Sequence, residues 1–169
     1  MVDDRNKQRL WRYGPLLAWM ALIFFASSGE FSAANTSRII RPLLLWLFPE
    51  ISEQALNAVH ALIRKGAHFG EYAVLALLAA RAFLSSSRAL LCRHWLKISL
   101  LLVISYALFD EYRQSFVPTR TPSLWDSLID IAGGASALLL IAAWRARKDG
   151  ARWRSVRSER AVKSALDRT

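Results

Sequence analysis

Residues 16–26, LLAWMALIFFA, and residues 138–144, LLLIAAW, are apolar on every face of a helix and leave no side for water. That property decides the fold class, because a soluble helix needs a polar stripe and a membrane-spanning helix does not. Outward from these two runs, four stretches are apolar for long enough to span: 14–28, 67–84, 95–109 and 124–144. A span takes about 20 residues to cross ~30 Å of hydrocarbon, or a few fewer where anchoring side chains reach the headgroups. Trp11 and Tyr13, then Trp95, then Trp125 and Trp144 stand near the ends of the first, third and fourth, where amphipathic rings favour the headgroup level. The expectation is an all-α polytopic membrane protein with four transmembrane helices. A soluble four-helix bundle is the competing fold, and the two all-apolar runs weigh against it.

The whole chain has 169 residues, is 54% hydrophobic and carries a formal net charge of +10. Its length allows one domain, and its apolar content excludes disorder. Cys92 is the only cysteine, so a disulfide framework is impossible. The charge alone suggests a polyanionic partner, but a mean hydropathy of +0.21 does not fit a nucleic-acid module. Residues 5–28 also resemble a signal peptide, with basic residues before an apolar run and small residues at Ala26, Ser27 and Ser28. An uncleaved first helix is preferred, because three further spans follow.

Orientation follows from where the charges lie. With the N-terminus in the cytoplasm, the inner side holds Arg5, Lys7, Arg9 and Arg12, then Arg81, Arg88, Arg93 and Lys97, then nine basic residues between Arg145 and Arg168. The outer side holds only Arg38, Arg41, Arg64, Lys65, Arg113 and Arg120. With the acids included, the sides carry about +12 and about −2, which places both termini in the cytoplasm. Residues 12–144 then form the membrane domain and 145–169 a basic cytoplasmic tail, suited to contact with anionic lipid rather than nucleic acid. Between the first two spans, IIRPLLLWLFP (39–49) is too short to cross and is broken by Pro42 and Pro49, so it reads as an outer interfacial segment. From Ile51, apolar residues at helical spacing run toward the second span, with Gly66 as a tolerated bend.

On that topology the ionisable residues outside the cytoplasm gather at one level, near the outer interface. The second span enters with Lys65, His68, Glu71 and Tyr72, the third leaves with Asp110, Glu111 and Gln114, and the fourth re-enters with Asp126 and Asp130. His68 and Glu71 are i, i+3 neighbours, while Asp110 and Gln114, like Asp126 and Asp130, are i, i+4, so each helix offers one polar face. Gly133, Gly134 and Ala137 extend the fourth face with small residues that admit a close neighbour. A charge at membrane depth costs at least ~2.5 kcal/mol, so such residues pair or line a wet cavity. Two readings stand: a shared functional site, or a buried ion network that fixes helix registry. With the neighbouring Arg64 and Arg113 set aside and His68 counted as neutral, Lys65 and Arg120 against five acids leave about three negative charges in excess, which calls for protonated carboxyls or a bound cation.

The strings RKGAHFGEYAVL (64–75), FDEYRQSFVPTR (109–120) and DSLIDIAGG (126–134), preceded by Ser27 and Ser28, together resemble the VanZ-like family of bacterial integral membrane proteins. The resemblance covers residues 12–144. Thr119 departs from it, standing where the family often has Gly before the turn arginine, here Arg120. The resemblance implies a cell-envelope protein of the bacterial inner membrane, associated with antibiotic resistance through the glycopeptide teicoplanin. It carries no defined reaction.

The expected function is therefore a polar site at the outer leaflet that binds or acts on a lipid-linked or anionic headgroup, of a phospholipid or a cell-wall precursor. In the catalytic version His68, Glu71, Asp110, Glu111, Asp126 and Asp130 share the chemistry, with His68 as a base oriented by a carboxylate. Lys65, Tyr72, Gln114 and Arg120 hold the ligand, the two cations clamping phosphate. No cofactor is required; a divalent cation on the acids is the weaker option, since HxxE alone is poor support for metal. A non-catalytic partner-binding envelope factor is the alternative. A transporter component is a further one, against which the inner halves of the spans offer almost nothing ionisable.

Overall fold

The computed structural model describes residues 4–27, 33–116 and 123–166, and among them there are six helices and no strand. They are α1 (Asp4–Ala26), α2 (Ala33–Leu47), α3 (Glu53–Leu84), α4 (Ala89–Arg93), α5 (Trp95–Gln114) and α6 (Leu124–Leu166). The chain divides into two compact units, Met1–Leu138 and Leu139–Thr169. The second unit contains the remainder of α6, in which Lys148 Nζ lies 5.1 Å from the centroid of the Trp144 ring.

Helix α3 joins the outer segment and the second expected span into one element. Ser52 caps it, its hydroxyl accepting from the Ala55 N–H at 3.2 Å, with Glu53 in the first turn where the dipole favours an acid. It runs through Gly66 and Gly70 without interruption and stops at Ser85, whose hydroxyl donates to the Arg81 carbonyl at 2.7 Å. At about 1.5 Å per residue such a helix is roughly 48 Å long, more than one bilayer crossing needs. Helix α2 corrects the expected break: it passes through Pro42, which was read as a breaker. Proline removes one backbone bond there, and tertiary contacts compensate. Leu44 is buried, and Arg41 pairs with Glu53 of α3. Helix α5 continues five residues past the apolar stretch, so Asp110, Glu111 and Gln114 stand on its last turns.

Side-chain bonds set the helix directions within the first unit. Tyr13 and Ser86 hydroxyls meet at 2.9 Å, Arg81 donates to the Trp11 carbonyl at 3.2 Å, and Trp19 Nε1 donates to the Glu71 carbonyl at 2.9 Å, so α1 and α3 are antiparallel. Tyr106 donates to the Met20 carbonyl and Arg113 to that of Phe24, so α1 and α5 are parallel. Lys65 faces Asp126 while Tyr72 faces Gly134, so α3 and α6 are parallel too. The result is up, down, up, down.

The interior of this bundle mixes large apolar side chains with small and polar ones: Ile23, Leu56, Tyr72, Leu75, Val103 and Leu138 are buried. Ala76, Ala79, Ala80, Ala82, Ala107 and Ala137 are buried, together with Ser27, Ser99, Ser127, Asp110 and Asp130. Many other large apolar residues face outward: Phe25 is 67% exposed, Leu101 64% and Trp46 77%. A water-soluble bundle would carry such side chains inside. Two helical segments, Glu53–Leu84 and Leu124–Arg152, are long and apolar enough to cross a membrane. Helix α5 carries Lys97 at one end and Asp110, Glu111 and Arg113 at the other, so its 20 residues contain no long uncharged window.

Candidate functional site at the α3–α6 contact

Two glycines allow the site to form. A Cβ on Gly133 would fall on the Phe69 carbonyl oxygen and lie 2.9 Å from its carbon; one on Gly134 would lie 2.6 Å from Val103 Cγ1 and 3.3 Å from the Tyr72 carbonyl oxygen. With no side chain at either position, α6 lies directly against the backbone of α3. This contact brings the 65, 68, 72 face of α3 opposite the 126, 129, 130 face of α6. Lys65 Nζ is 3.8 Å from Asp126 Oδ1, both about half exposed. His68 Nδ1 is 3.6 Å from Asp130 Oδ1 and 3.9 Å from Glu71 Oε2. A pocket of about 60 Å³ opens here, lined by Ala61, Arg64, Lys65, His68, Asp126 and Ile129. That volume admits a few water molecules or a small charged group.

A second cluster lies where α1 and α5 end. Asp110, 2% exposed, accepts at Oδ2 from the Ser27 hydroxyl and from Gln114 Nε2, each at 2.7 Å. Its Oδ1 is 3.6 Å from Arg113. The Arg113 guanidinium lies 3.7 Å over the Phe24 ring and donates to the Phe24 carbonyl at 2.7 Å. Asp110 therefore fastens α1 to α5 through charge-assisted bonds. Glu111 accepts from the Ser123 backbone N–H, which holds the chain just before α6. Tyr72 is fully buried, its ring 6.4 Å from that of Tyr106, and its hydroxyl makes no hydrogen bond among the described residues. It stands in electrostatic range of Asp110, Asp130 and Glu71, while Asp130 is in range of Asp110, Glu71, Asp126 and Glu111.

The expected residues thus separate into two neighbouring groups. Lys65, His68 and Asp126 line the pocket, and Glu71 and Asp130 stand within 4 Å of His68, whereas Asp110, Glu111 and Gln114 are engaged in holding α1, α5 and the approach to α6 together. Arg120, with Pro118, Thr119 and Ser28, lies outside the described residues. Two cations set aside in the sequence reading have specific places: Arg64 lines the pocket, and Arg113 faces Asp110. Arg64 is four residues before His68 and Arg113 three after Asp110, so helical spacing was the available signal. With both included, the reckoning of two cations against five acids no longer holds. Among the described residues, no group of three or more His, Cys, Asp or Glu side chains is arranged to hold a metal ion.

Both clusters fall inside the stretch that a known family shares. A family model described as VanZ/LLP1 matches residues 13–145. The chain belongs to the VanZ/LLP1 family. Comparison with curated proteins and with solved structures gives no match. The VanZ/LLP1 region begins inside α1, ends inside α6 and leaves the basic tail outside. Family membership and the two long apolar segments together mark a membrane protein.

Proposed function

We propose that the protein crosses a bacterial cytoplasmic membrane four times with both termini inside, and that the α3–α6 pocket binds a lipid-linked headgroup carrying an anionic group at the outer leaflet. The observation that carries this reading is the pocket itself. Arg64 and Lys65 line it, and Leu62, Phe69 and Leu128 of the same two helices stand exposed nearby. Cations beside apolar surface suit a phosphate attached to an acyl chain. The sidedness rests on charge: Arg12 and Arg81 gather at one end of the bundle, with Arg88, Arg93 and Lys97 following, while the acids gather at the other.

Binding is favoured over catalysis by one observation. Of the six side chains expected to share a reaction, Asp110 and Glu111 are already taken up by Ser27, Gln114, Arg113 and Ser123. A non-catalytic envelope factor that holds a phospholipid or a cell-wall precursor therefore fits best, and the family's link to teicoplanin resistance makes the precursor headgroup the second ligand to try. The test is a titration of the purified full chain with short-chain phosphatidylglycerol, followed by tryptophan fluorescence. Arg64→Gln with Lys65→Gln weakens binding about tenfold or more, as expected for lost charge-assisted hydrogen bonds. An unchanged titration refutes the headgroup reading.

A further inference from the structure

The pocket carries opposite charges on its two helices, and that narrows what it can hold. Arg64 and Lys65 come from α3, Asp126 from α6, and His68 lies among them. A purely anionic group would be attracted by the first two and repelled by the third. A group carrying both a phosphate and an ammonium meets each wall with its counter-charge. The Lys65–Asp126 pair, 3.8 Å apart and about half exposed on both sides, is a weak surface pair that such a ligand can part.

A second, independent feature points the same way. The Asp130 side chain is 6% exposed, and its Oδ1 makes no hydrogen bond among the described residues. That oxygen lies 3.6 Å from His68 Nδ1, and His68 lines the pocket. A buried carboxylate oxygen lacking a donor is unfavourable, and an ammonium group brings three N–H donors. Asp130 Oδ1 is thus an acceptor with no hydrogen-bond donor among the described residues.

We infer that the site takes a zwitterionic phospholipid headgroup, a phosphate ester bearing a primary ammonium, with the phosphate on Arg64 and Lys65 and the ammonium on Asp126 toward Asp130. The inference rests on the headgroup reading above and narrows it. The exposed Leu62 and Leu128 favour the lipid over its soluble headgroup, because they offer the acyl chains apolar surface beside the pocket.

The full chain is purified in mild detergent, offered equal amounts of phosphatidylethanolamine, phosphatidylglycerol and phosphatidylcholine with matched acyl chains, and weighed with its retained lipid by native mass spectrometry. Phosphatidylethanolamine is retained about tenfold over phosphatidylglycerol, the factor one charge-assisted hydrogen bond supplies. Phosphatidylcholine, whose quaternary ammonium has no N–H, loses most of that advantage. Asp126→Asn brings the ethanolamine and glycerol lipids level while both are still retained, and Lys65→Gln lowers both. These side chains are half exposed, and unchanged helicity by circular dichroism verifies the fold of each variant.

A preference for phosphatidylglycerol that Lys65→Gln abolishes overturns the zwitterionic inference and leaves the headgroup reading standing. Retention of every lipid unchanged by Arg64→Gln and Lys65→Gln overturns both. Displacement of the lipid by an equal concentration of soluble phosphoethanolamine overturns the lipid as the source of the headgroup.

Discussion

Gly133→Ala is the sharpest test of how the bundle closes. The added methyl would strike the Phe69 carbonyl oxygen and lie 2.9 Å from its carbon and 3.0 Å from its Cα. Comfortable carbon contacts are about 3.5–4.0 Å, so α6 must move by roughly 0.5–1 Å or more. The struck atoms are all backbone and cannot rotate away, which puts the overpacking cost toward the top of the usual range of about 1–3 kcal/mol. Alanine's helix propensity returns about 1 kcal/mol, leaving a net loss of about 2 kcal/mol. Gly66→Ala is the matched control. No atom lies within 4 Å of its added methyl, so the propensity gain stands alone and the variant is more stable by up to about 1 kcal/mol. Unfolding in mixed micelles with increasing dodecyl sulfate, followed by circular dichroism, should separate the two variants by about 3 kcal/mol. Phe69 adjoins His68, and Gly133 is one turn from Asp130, so lipid retention falls with stability in Gly133→Ala. If Gly133→Ala proves as stable as Gly66→Ala, the close α3–α6 contact is wrong, and the pocket built on it with it.

The Asp110 cluster and the sidedness have their own tests. Ser27→Ala removes one of two 2.7 Å bonds to a buried carboxylate and costs about 1.5–3 kcal/mol in the same unfolding assay. Asp110→Ala costs more, about 3–5 kcal/mol, because it strands Ser27, Gln114 and Arg113 together; the reverse order would contradict the lock. For sidedness, the exposed Cys92 on α4 stays unlabelled by an impermeant maleimide in right-side-out vesicles until they are permeabilised. Asn57→Cys, introduced with Cys92→Ser, is labelled at once, and the opposite pattern would overturn cytoplasmic termini.

What the sequence made legible was the part that depends on local spacing. The helix from Ile51 into the second span was visible as an apolar period, and α3 is that helix. The polar faces of residues 65–72 and 126–130 were readable for the same reason, and Lys65 and His68 of the first meet Asp126 of the second at the pocket. What stayed hidden depends on distant partners. Nothing near Pro42 says that Arg41 will pair with Glu53 and that α2 will continue through the proline. Nothing near Arg113 says that its guanidinium will settle on Phe24 and face Asp110. Local spacing therefore does not show that Asp110 and Glu111 bond to Ser27 and Ser123 while Asp126 and Asp130 lie opposite Lys65 and His68.

The polar share of the interior has a consequence for the meaning of stability in this protein. Ile23, Leu75, Val103 and Leu138 are buried beside alanines, serines and two aspartates that gain little from leaving water, so the drive that collapses a soluble domain is weakened in the bundle's core. Cohesion comes also from backbone-to-backbone approach at Gly133 and from bonds such as Ser27 to Asp110, both strengthened where water is excluded. In the bilayer proposed above, the lipid that covers Phe25 and Leu101 becomes a component of the fold, and a melting temperature measured for the chain belongs jointly to the protein and to the amphiphile around it.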